Sequence, residues 1–289
     1  MLLLTPASFP DYELLDCGDF EKLERFGQYI AIRPEPQAAW SKKLSEQEWE
    51  KTAHVKFIQT SSNAGEWKKL KNMQDKWYVE YKTKSLEFRL KLSLTSFKHV
   101  GIFPEQAVNW DYIFDAIKAM KAEKPKFLNL FAYTGAASLA AKAAGADVTH
   151  LDSIKQVVTW ARENMELSGL NDIRWIVEDA LKFVKREAKR GNKYHGIILD
   201  PPAYGNGPNG EKWRLEENIG EMLQNVFKLL DPKEHFLILN AYSMGFSPMI
   251  IENLLSSFAK EKLEAGELFL KSKTNLNLPL GVFGRFRNF

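Results

Sequence analysis

The feature that most constrains this chain is a regular alternation of strand-like and helix-like segments in its second half. Short apolar runs that end on polar residues alternate with helix-like runs, several of which stop at a glycine. Strands alternating with helices of this length form right-handed βαβ units around a parallel sheet covered on both faces. The pattern therefore predicts an α/β fold with a doubly wound, Rossmann-like, mostly parallel sheet. The predicted strands are 126–131, 147–152, 173–179, 195–200 and 235–240, and the predicted helices are 135–145, 154–169, 180–191 and 214–230.

The first half of the chain has a different pattern. Residues 11–94 are divided into short runs with polar and apolar residues in alternation, clearest where Phe88, Leu90 and Leu92 fall on one face of a strand. This alternation predicts a small, mostly-β N-terminal module. We expect it to span residues 1–96, ahead of a larger domain at 97–289.

Composition excludes several classes of protein. The chain has 289 residues, of which 45% are hydrophobic and 27% charged, and no apolar run approaches the roughly 20 residues that cross a bilayer. Its apolar start has no preceding basic segment, so we expect no signal peptide. Cys17 is the single cysteine, which rules out an internal disulfide or a cysteine-based zinc site. These features predict a cytoplasmic protein without membrane partners.

A basic stretch with interleaved aromatic residues lies in the N-terminal module. Residues 51–98 contain eleven Lys and Arg against four Asp and Glu, whereas the whole chain has a net charge of only +3. The aromatic residues in this stretch are Trp67, Trp77, Tyr78 and Tyr81. Basic and aromatic side chains together are typical of surfaces that hold phosphates and stack bases. A sheet with a solvated basic face and aromatic residues in the core beneath would give the same pattern, so both interpretations stay open.

The first strand-to-helix turn of the predicted sheet indicates the kind of ligand. In a doubly wound sheet the ligand lies beyond the carboxyl ends of the strands, where the strand order reverses. A dinucleotide site would need three glycines in this turn, because a pyrophosphate requires close backbone approach. Here Tyr133 and Thr134 precede a single glycine, Gly135. The turn therefore disfavours NAD and FAD, and with them a dehydrogenase.

Acidic residues end the next two predicted strands. Asp152 ends the second strand, where a carboxylate can bind the two hydroxyls of a ribose. The third ends on Glu178 and Asp179, where a carboxylate can accept from an adenine amine. A ribose and an adenine without a pyrophosphate describe S-adenosylmethionine. An aspartate at the end of a strand is also a common helix cap, and each residue taken alone could serve that purpose.

Three segments carry a resemblance to a known family. They are "FKHVGIFPEQ", "LNLFAYTGAASLAAKAAGADVTHLD" and "DPPAYGNGPNGEKW". From about Phe97 onward the chain resembles the class I S-adenosylmethionine-dependent methyltransferases, in the family that includes the large-subunit ribosomal RNA methyltransferases. The resemblance implies a sheet of the class I methyltransferase type and S-adenosyl-L-methionine as cofactor.

The resemblance also implies cofactor contacts. By it, Asp152 with its neighbour Ser153 would hold the ribose, Asp179 with Ala180 the adenine, and Asp200 the edge nearest the methyl group. The residues that would line the methionine side are Asn129, Phe131, Tyr133, Thr134 and Gly135. A segment matching 101–106 closes over the cofactor in the family, so Phe103 and Gln106 are further candidates.

The fourth predicted strand ends on Asp200, followed by Pro201 and Pro202. Methyl transfer is an in-line displacement, so holding the two reactants in position can supply several kcal/mol. The prolines restrict their own backbone and that of the residues before them, and would present Asp200 as a rigid edge. Tyr204 can then stack on a flat acceptor such as a flipped base. We expect the glycine-rich stretch 205–210 to be a loop that closes over bound substrate. These four residues, Asp200, Pro201, Pro202 and Tyr204, are the predicted catalytic set.

The atom that receives the methyl group is constrained by the absence of a thiol. Relatives that methylate carbon in cytosine need a cysteine after the fifth strand, to add to the ring. Here that position has Asn240, Ala241, Tyr242 and Ser243, and Cys17 is best interpreted as a small buried residue. A nitrogen or oxygen acceptor needs no such thiol, only orientation and a proton acceptor such as Asp200. Of the two we favour a ring or exocyclic nitrogen of a base, methylated without a covalent intermediate.

The predicted function is methylation of RNA, with ribosomal RNA as the leading substrate. Two alternatives stay open: a methyltransferase acting on a protein or a small molecule, and a non-catalytic RNA-binding assembly factor that keeps the fold. None of the five histidines is spaced with a second metal ligand, so no metal site is predicted.

Overall fold

The structure is a computed structural model that describes residues 1–60, 64–242 and 245–289. By its contacts the chain divides into two compact units, and each is described separately below. The first consists of residues 1–4, 108–268 and 281–289, and the second of residues 5–107 and 269–280.

The secondary structure follows in chain order. The helices are α1 (Glu46–Thr52), α2 (Ala107–Ala119), α3 (Ala136–Ala143), α4 (Lys155–Leu167), α5 (Ala180–Lys189), α6 (Leu215–Phe227) and α7 (Pro248–Ser256), with a short 3-10 turn at Pro104–Gln106. The strands are β1 (Leu2–Leu4), β2 (Tyr12–Gly18), β3 (Glu21–Phe26), β4 (Tyr29–Pro34), β5 (Val55–Gln59), β6 (Gly65–Lys69), β7 (Lys76–Lys82), β8 (Glu87–Ser93), β9 (Lys126–Leu130), β10 (Asp147–Asp152), β11 (Ile173–Val177), β12 (Gly196–Leu199), β13 (Tyr204–Asn206), β14 (Lys212–Arg214), β15 (Phe236–Ala241), β16 (Glu264–Lys271) and β17 (Asn277–Arg287).

The first unit is built on an eight-stranded sheet in the order β1-β16-β17-β15-β12-β9-β10-β11. Strands β9, β10, β11, β12 and β15 pair in parallel, and β17 runs antiparallel to β15. Strand β9 has β10 on one side and β12 on the other, so the strand order reverses at β9. The predicted doubly wound, mostly parallel sheet is confirmed, and its reversal point lies at the carboxyl ends of β9 and β12.

The helices pack on this sheet through apolar stripes. In α6, Leu215, Ile219, Met222 and Val226 recur at helical spacing and are all buried. They join a core that also contains Phe183 of α5 and the sheet residues beneath it. Because both faces of the central strands are covered, those strands are mostly apolar and their few polar side chains, such as Asn129 and His150, are buried. The polar groups that can meet a ligand are therefore found at the strand ends.

The second unit is mostly β, as predicted. Its five-stranded sheet has the order β2-β3-β4-β5-β6, and β7 pairs with β8 in an antiparallel ribbon. The predicted alternation in β8 is confirmed, since Phe88, Leu90 and Leu92 are buried while Arg89 is exposed. The single cysteine, Cys17, is fully buried in this unit, and that expectation is also confirmed.

Most aromatic residues of the basic stretch fit the second interpretation given above, in which they lie in the core beneath a solvated basic face. Trp77 and Tyr81 lie in the core, and the half-buried Trp67 donates its indole N–H to the Thr95 carbonyl. Tyr78 differs, with 58% of its surface exposed at a ribbon position directly opposite Lys91. Acidic partners neutralise several of the basic residues; these pairs are Lys56 with Glu21 and Glu46, Lys69 with Asp75, Lys82 with Glu87, and Arg89 with Glu80.

The glycine-rich segment after β12 is more ordered than its composition suggested. We expected a loop over 205–210, but Tyr204–Asn206 and Lys212–Arg214 form an antiparallel hairpin, β13–β14. The expectation of a loop is therefore wrong for Gly205 and Asn206, which lie in β13, whereas residues 207–210 connect the two strands. Among the described residues no helix combines the length and the apolar character that a membrane span needs.

Candidate active site

The turn that follows β9 has an unusual backbone. Phe131 and Tyr133 have φ angles of 57° and 49°, in the left-handed region that side chains with a Cβ rarely adopt. Gly135 follows with a φ of 92° and begins α3. A Cβ at this position would lie 3.1 Å from the Cβ of Ala161 in α4. The turn therefore needs glycine at 135, both for its backbone angle and for the close approach of α4.

Asp152, at the carboxyl end of β10, binds the backbone on both sides of the site. Its Oδ2 accepts the Tyr133 N–H at 2.9 Å, and its Oδ1 accepts the Ile154 N–H at 3.0 Å. Burial raises the pKa of this carboxyl above its ordinary range, although these backbone hydrogen bonds oppose the shift. The carboxylate thus connects the turn after β9 with the turn after β10. It lies where it can also accept hydrogen bonds from ligand hydroxyls.

The acids that follow β11 have separate structural partners. Asp179 caps α5, because its Oδ1 accepts the Lys182 N–H at 2.8 Å. The helix-cap interpretation of this residue is therefore correct, and a ligand contact would be an additional role. Glu178 forms a two-point ion pair with Arg186, in which Nη2 and Oε2 are 2.6 Å apart. Glu178 nevertheless contributes to the wall of the site.

The end of β12 presents a carboxyl group with a shifted pKa. Burial alone raises the pKa of Asp200 from its ordinary value of 3.8 to about 7. Within the described residues, neither a hydrogen bond nor an ion pair to this carboxyl offsets the burial. Pro201 is buried and Pro202 is exposed. A carboxyl group with a pKa near neutrality is suited to accept or release a proton during a reaction.

The β13–β14 hairpin is joined to this strand end by one tryptophan. Trp213 is 5% exposed, and its indole N–H donates to the Pro202 carbonyl at 2.7 Å. Its ring lies 4.9 Å from the ring of Phe131, centroid to centroid, which links the hairpin to the first turn. Tyr204 occupies the outer position of the hairpin with 73% of its surface exposed. The hairpin thus forms a wall of the site and presents one free aromatic ring.

These elements line a recess that opens to solvent. Its walls are Phe131, Leu151, Asp152, Ser153, Glu178, Asp179, Ala180, Pro202, Gly205, Asn206, Gly207 and Trp213. Six of the residues expected from the sequence lie in these walls: Phe131, Asp152, Ser153, Asp179, Ala180 and Pro202. The recess combines apolar and aromatic surface with carboxylates and contains no basic side chain, so it suits a nucleoside without phosphate better than a pyrophosphate.

Other residues expected at the site lie outside its walls. Asn129 is 3% exposed and Thr134 is 2% exposed, so both side chains lie beneath the first turn. Tyr133 and Gly135 shape that turn through their backbone. Asp200, Pro201 and Tyr204 do not line the recess, but they lie close in sequence to Pro202, which does. Their roles stay predictions.

Phe103 and Gln106 belong to the second unit. Phe103 is half-buried, its ring centroid 5.1 Å from that of His99, and Gln106 ends the 3-10 turn. Burial lowers the pKa of His99 to about 3, so this histidine is neutral at ordinary pH. A cofactor contact by Phe103 or Gln106 remains a prediction from the resemblance.

The residues that close the recess on the hairpin side are Gly205, Asn206, Gly207 and Trp213. The first three belong to the stretch 205–210 that we expected to close over substrate, although none of them was named as a site residue. Trp213 was missed. Strand β14 has only three residues, too few to show a period, so no local signal in the sequence indicated Trp213. In the described part of the chain no group of three His, Cys, Asp or Glu side chains is placed to hold a metal ion.

Known proteins resemble this chain at the level of both sequence and structure. A family model described as "Conserved hypothetical protein 95" matches residues 91–236. The solved SAM-dependent methyltransferase from Agrobacterium tumefaciens is 36% identical, with a TM-score of 0.91, and the match covers 99% of this chain and 93% of that one. A structure from Streptococcus mutans has a TM-score of 0.73 at 15% identity, covering 96% and 75% of the two chains, a likeness that concerns the fold alone.

Among curated proteins, the Ribosomal RNA large subunit methyltransferase K/L of Shewanella frigidimarina is 34% identical over 170 residues. The match covers 57% of this chain but 23% of that relative, so the chain spans about a quarter of the curated protein. Fold, site and similarity together define a class I methyltransferase. The chain belongs to the S-adenosylmethionine-dependent methyltransferases, in the family described as Conserved hypothetical protein 95.

Proposed function

We propose that this chain transfers a methyl group from S-adenosylmethionine to a nitrogen of a base in structured RNA, with ribosomal RNA as the substrate class. The observation that carries the proposal is Asp200, whose pKa is raised to about 7 at the end of β12, beside a recess suited to a nucleoside. Its neighbours Pro202 and Tyr204 supply a rigid edge and an exposed ring. The curated relatives' names, which specify ribosomal RNA, support the substrate class.

The walls of the recess match the parts of this cofactor. Asp152 and Ser153 bind the ribose hydroxyls, and Asp179 with Ala180 meets the adenine at the start of α5. The left-handed turn at 131–135 offers its backbone to the methionine part, and Phe131 with Trp213 provides apolar surface. Among the residues that line the recess none is cationic, which agrees with a ligand that lacks phosphate.

The bound cofactor supplies the methyl group, on a positively charged sulfur. Asp200 accepts the proton that the acceptor nitrogen loses, and its pKa near 7 lets it do so without strong acid or base. Pro201 and Pro202 hold that carboxyl in place, because each proline fixes its own φ. Tyr204 stacks on the acceptor base, where an exposed ring contributes about 1–3 kcal/mol per base.

A covalent cysteine intermediate is disfavoured by the state of the only thiol. Cys17 is fully buried, and burial raises its pKa to about 11, so it carries no appreciable thiolate at neutral pH. At the end of β15 the described residues are Asn240, Ala241 and Tyr242, which offer no thiol. Ser243 lies outside the described residues. Transfer to nitrogen needs no added nucleophile, and it is the reaction we propose.

Residues 1–96, the mostly-β N-terminal region, contribute RNA binding in this proposal. The support is the exposed Tyr78 opposite Lys91 on the β7–β8 ribbon, with the exposed Lys76 two positions before it on the same face. An exposed ring among lysines can stack a base while the lysines meet phosphates. We place the enzyme in the cytoplasm, where ribosomal RNA is found.

The test is methyl transfer from radiolabelled S-adenosylmethionine into total RNA and total protein, both from a strain lacking the gene. The proposal predicts label in RNA of ribosomal size. Label in protein or small molecules alone would move the substrate to those classes. Cofactor binding without label in any acceptor, including ribosomal assembly intermediates, would favour a non-catalytic RNA-binding factor.

A further inference from the structure

A chain of buried polar side chains lies beneath the first turn and has no part in the reaction proposed above. Asn129 of β9 donates its amide N–H to the Ser138 hydroxyl at 2.9 Å. The same hydroxyl lies 3.0 Å from Nδ1 of His150, in β10. Asn129 is 3% exposed and the other two are fully buried. Burying three polar groups costs free energy unless each finds a hydrogen-bond partner inside the protein.

The direction of these hydrogen bonds determines the tautomer of the imidazole. Because Asn129 donates to the Ser138 oxygen, the single hydroxyl proton of Ser138 is available for His150. When Ser138 donates this proton to His150, Nδ1 accepts it and the ring proton lies on Nε2. Burial lowers the pKa of His150 to about 3, which keeps the ring neutral and preserves this pattern at ordinary pH.

The imidazole ring of His150 lies against the first turn. Its Cε1 atom is 3.5 Å from the point that a Cβ on Gly135 would occupy. Nε2 is buried, and no described atom meets it at normal hydrogen-bond geometry. The backbone of Tyr133 opposes the lowering of the His150 pKa, which is the effect of a carbonyl acceptor near the ring. The ring therefore places an unsatisfied polar atom next to the backbone of this turn.

The turn itself needs support of this kind. Phe131 and Tyr133 both have left-handed backbones, and the surroundings must offset the steric cost of each. Asp152 holds the N–H of Tyr133 at 2.9 Å. Asn164 of α4 donates its amide to the Thr134 carbonyl at 2.9 Å. Side chains therefore hold the peptides of this turn from below, while the recess lies next to Phe131.

We propose that Asn129, Ser138 and His150 are positioning residues for the cofactor. They hold an Nε2–H donor beneath Tyr133 and thereby stabilise the left-handed form of the turn that binds the methionine part. Binding of the cofactor settles the turn on this donor, and the contact between Nε2–H and the Tyr133 carbonyl becomes a full hydrogen bond. The inference rests on the proposed placement of the cofactor, and it gives Asn129 a role beneath the turn instead of in the ligand wall.

The first test compares two variants that each remove one buried hydroxyl from the same unit. Ser138→Ala interrupts the chain, whereas Tyr194→Phe removes the hydroxyl that donates to Glu187 at 2.9 Å, at the opposite ends of the strands. Because a buried group left without its partner costs about 1–3 kcal/mol, we expect Ser138→Ala to bind S-adenosylhomocysteine about tenfold more weakly. Tyr194→Phe should lose thermal stability but bind like the unsubstituted protein. Unchanged affinity in Ser138→Ala, or affinity that follows the melting temperature in both variants, would overturn the proposal.

The second test needs no substitution. In protein labelled with 15N at histidine, the ring nitrogens of five residues are observed, and Ser138→Ala assists the assignment of His150. We expect His150 to be an Nε2–H tautomer that does not titrate, and its Nε2 proton to move downfield when S-adenosylhomocysteine is added. An Nδ1–H tautomer, or a proton that does not move on saturation, would overturn the inference. Failure of the proposed function would look different, since the unsubstituted protein would then not bind the ligand.

Discussion

The indole N–H of Trp213 donates to the backbone carbonyl of Pro202 at 2.7 Å, and this bond attaches the β13–β14 hairpin to the end of β12. The centroid of the same ring lies 4.9 Å from that of Phe131, in the first turn. One side chain therefore connects three parts of the site: the proline-stiffened strand end, the hairpin and the first turn. The glycine-rich composition of the hairpin does not make it loose, because Trp213 anchors it.

Replacing this tryptophan by phenylalanine separates the hydrogen bond from the packing. Trp213→Phe keeps an aromatic ring against Phe131 but leaves the Pro202 carbonyl without its donor, at a cost of about 1 kcal/mol. We expect trypsin to cleave after Lys212 and Arg214 several-fold faster than in the unsubstituted protein. Cleavage after Lys84, an exposed lysine between β7 and β8, is the internal control and should not change. An unaltered rate at the hairpin would mean that packing alone holds it.

Asp152 is predicted to control cofactor affinity. Asp152→Ala removes a ribose acceptor and also the group that binds the Tyr133 N–H, so affinity should fall by roughly 1–3 kcal/mol. Asp152→Asn keeps the shape and one acceptor oxygen, so its cofactor affinity should lie between those of Asp152→Ala and the unsubstituted protein. Titration calorimetry with S-adenosylhomocysteine measures both. Since burial raises the pKa of this carboxyl, affinity should also weaken at a higher pH than for an ordinary aspartate as the solution is acidified. Alanine without effect would show that the cofactor lies elsewhere.

Asp200 is predicted to lower stability while it enables the reaction. Its pKa is raised from 3.8 to about 7, so between these values the folded chain binds a proton that the unfolded chain lacks. This group's contribution is therefore fully present at the low end of that window and is lost as pH rises through 7. Asp200→Asn removes the penalty, and at pH 8 we expect it to be more stable by about 1–3 kcal/mol.

The same substitution should reduce turnover. An amide cannot accept the proton, and loss of a general base typically slows a reaction by about 10²–10⁴-fold. In the unsubstituted protein kcat should rise with pH through about 7, as Asp200 ionises. Melting curves and rates at pH 6 and pH 8 test both effects. A variant that is no more stable at pH 8 would contradict the shifted pKa, and a variant with normal kcat would exclude Asp200 as the base.

The sheet, and most of the site residues at the carboxyl ends of its strands, could be predicted from the sequence because the relevant signals are local. Strand β10 and helix α5 show their periods within a few residues, and Gly135 and Asp152 lie at ends that such periods define. The hairpin could not be predicted in the same way. Strands β13 and β14 are three residues each, too short to show a period, and Trp213 meets Phe131 only through tertiary packing.

Asn129 shows a second limit of the sequence. Its position in the first strand suggested a ligand contact, but the residue lies in β9 itself, where both faces are covered. Its amide therefore points to a buried partner, Ser138. The edge strand β1 was missed for a different reason: its three residues pair with β16, which lies far along the chain, and no local pattern reports such a pairing.

Tyr204 provides the sharpest test of the acceptor. With 73% of its surface exposed, it contributes little to the core, so Tyr204→Ala should leave stability within about 0.5 kcal/mol of the unsubstituted protein. Cofactor affinity should also be unchanged, because Tyr204 is not in the walls of the recess. If the ring stacks on the acceptor base, its loss should reduce kcat/KM for RNA about five- to 150-fold, which corresponds to roughly 1–3 kcal/mol.

Tyr204→Phe is the matched control, since it keeps the ring and loses only the hydroxyl, and it should retain most of the rate. If phenylalanine proved as slow as alanine, the hydroxyl would be the functional group and the stacking role would be wrong. If both variants transferred methyl groups at the normal rate, the acceptor would have to be held by other residues.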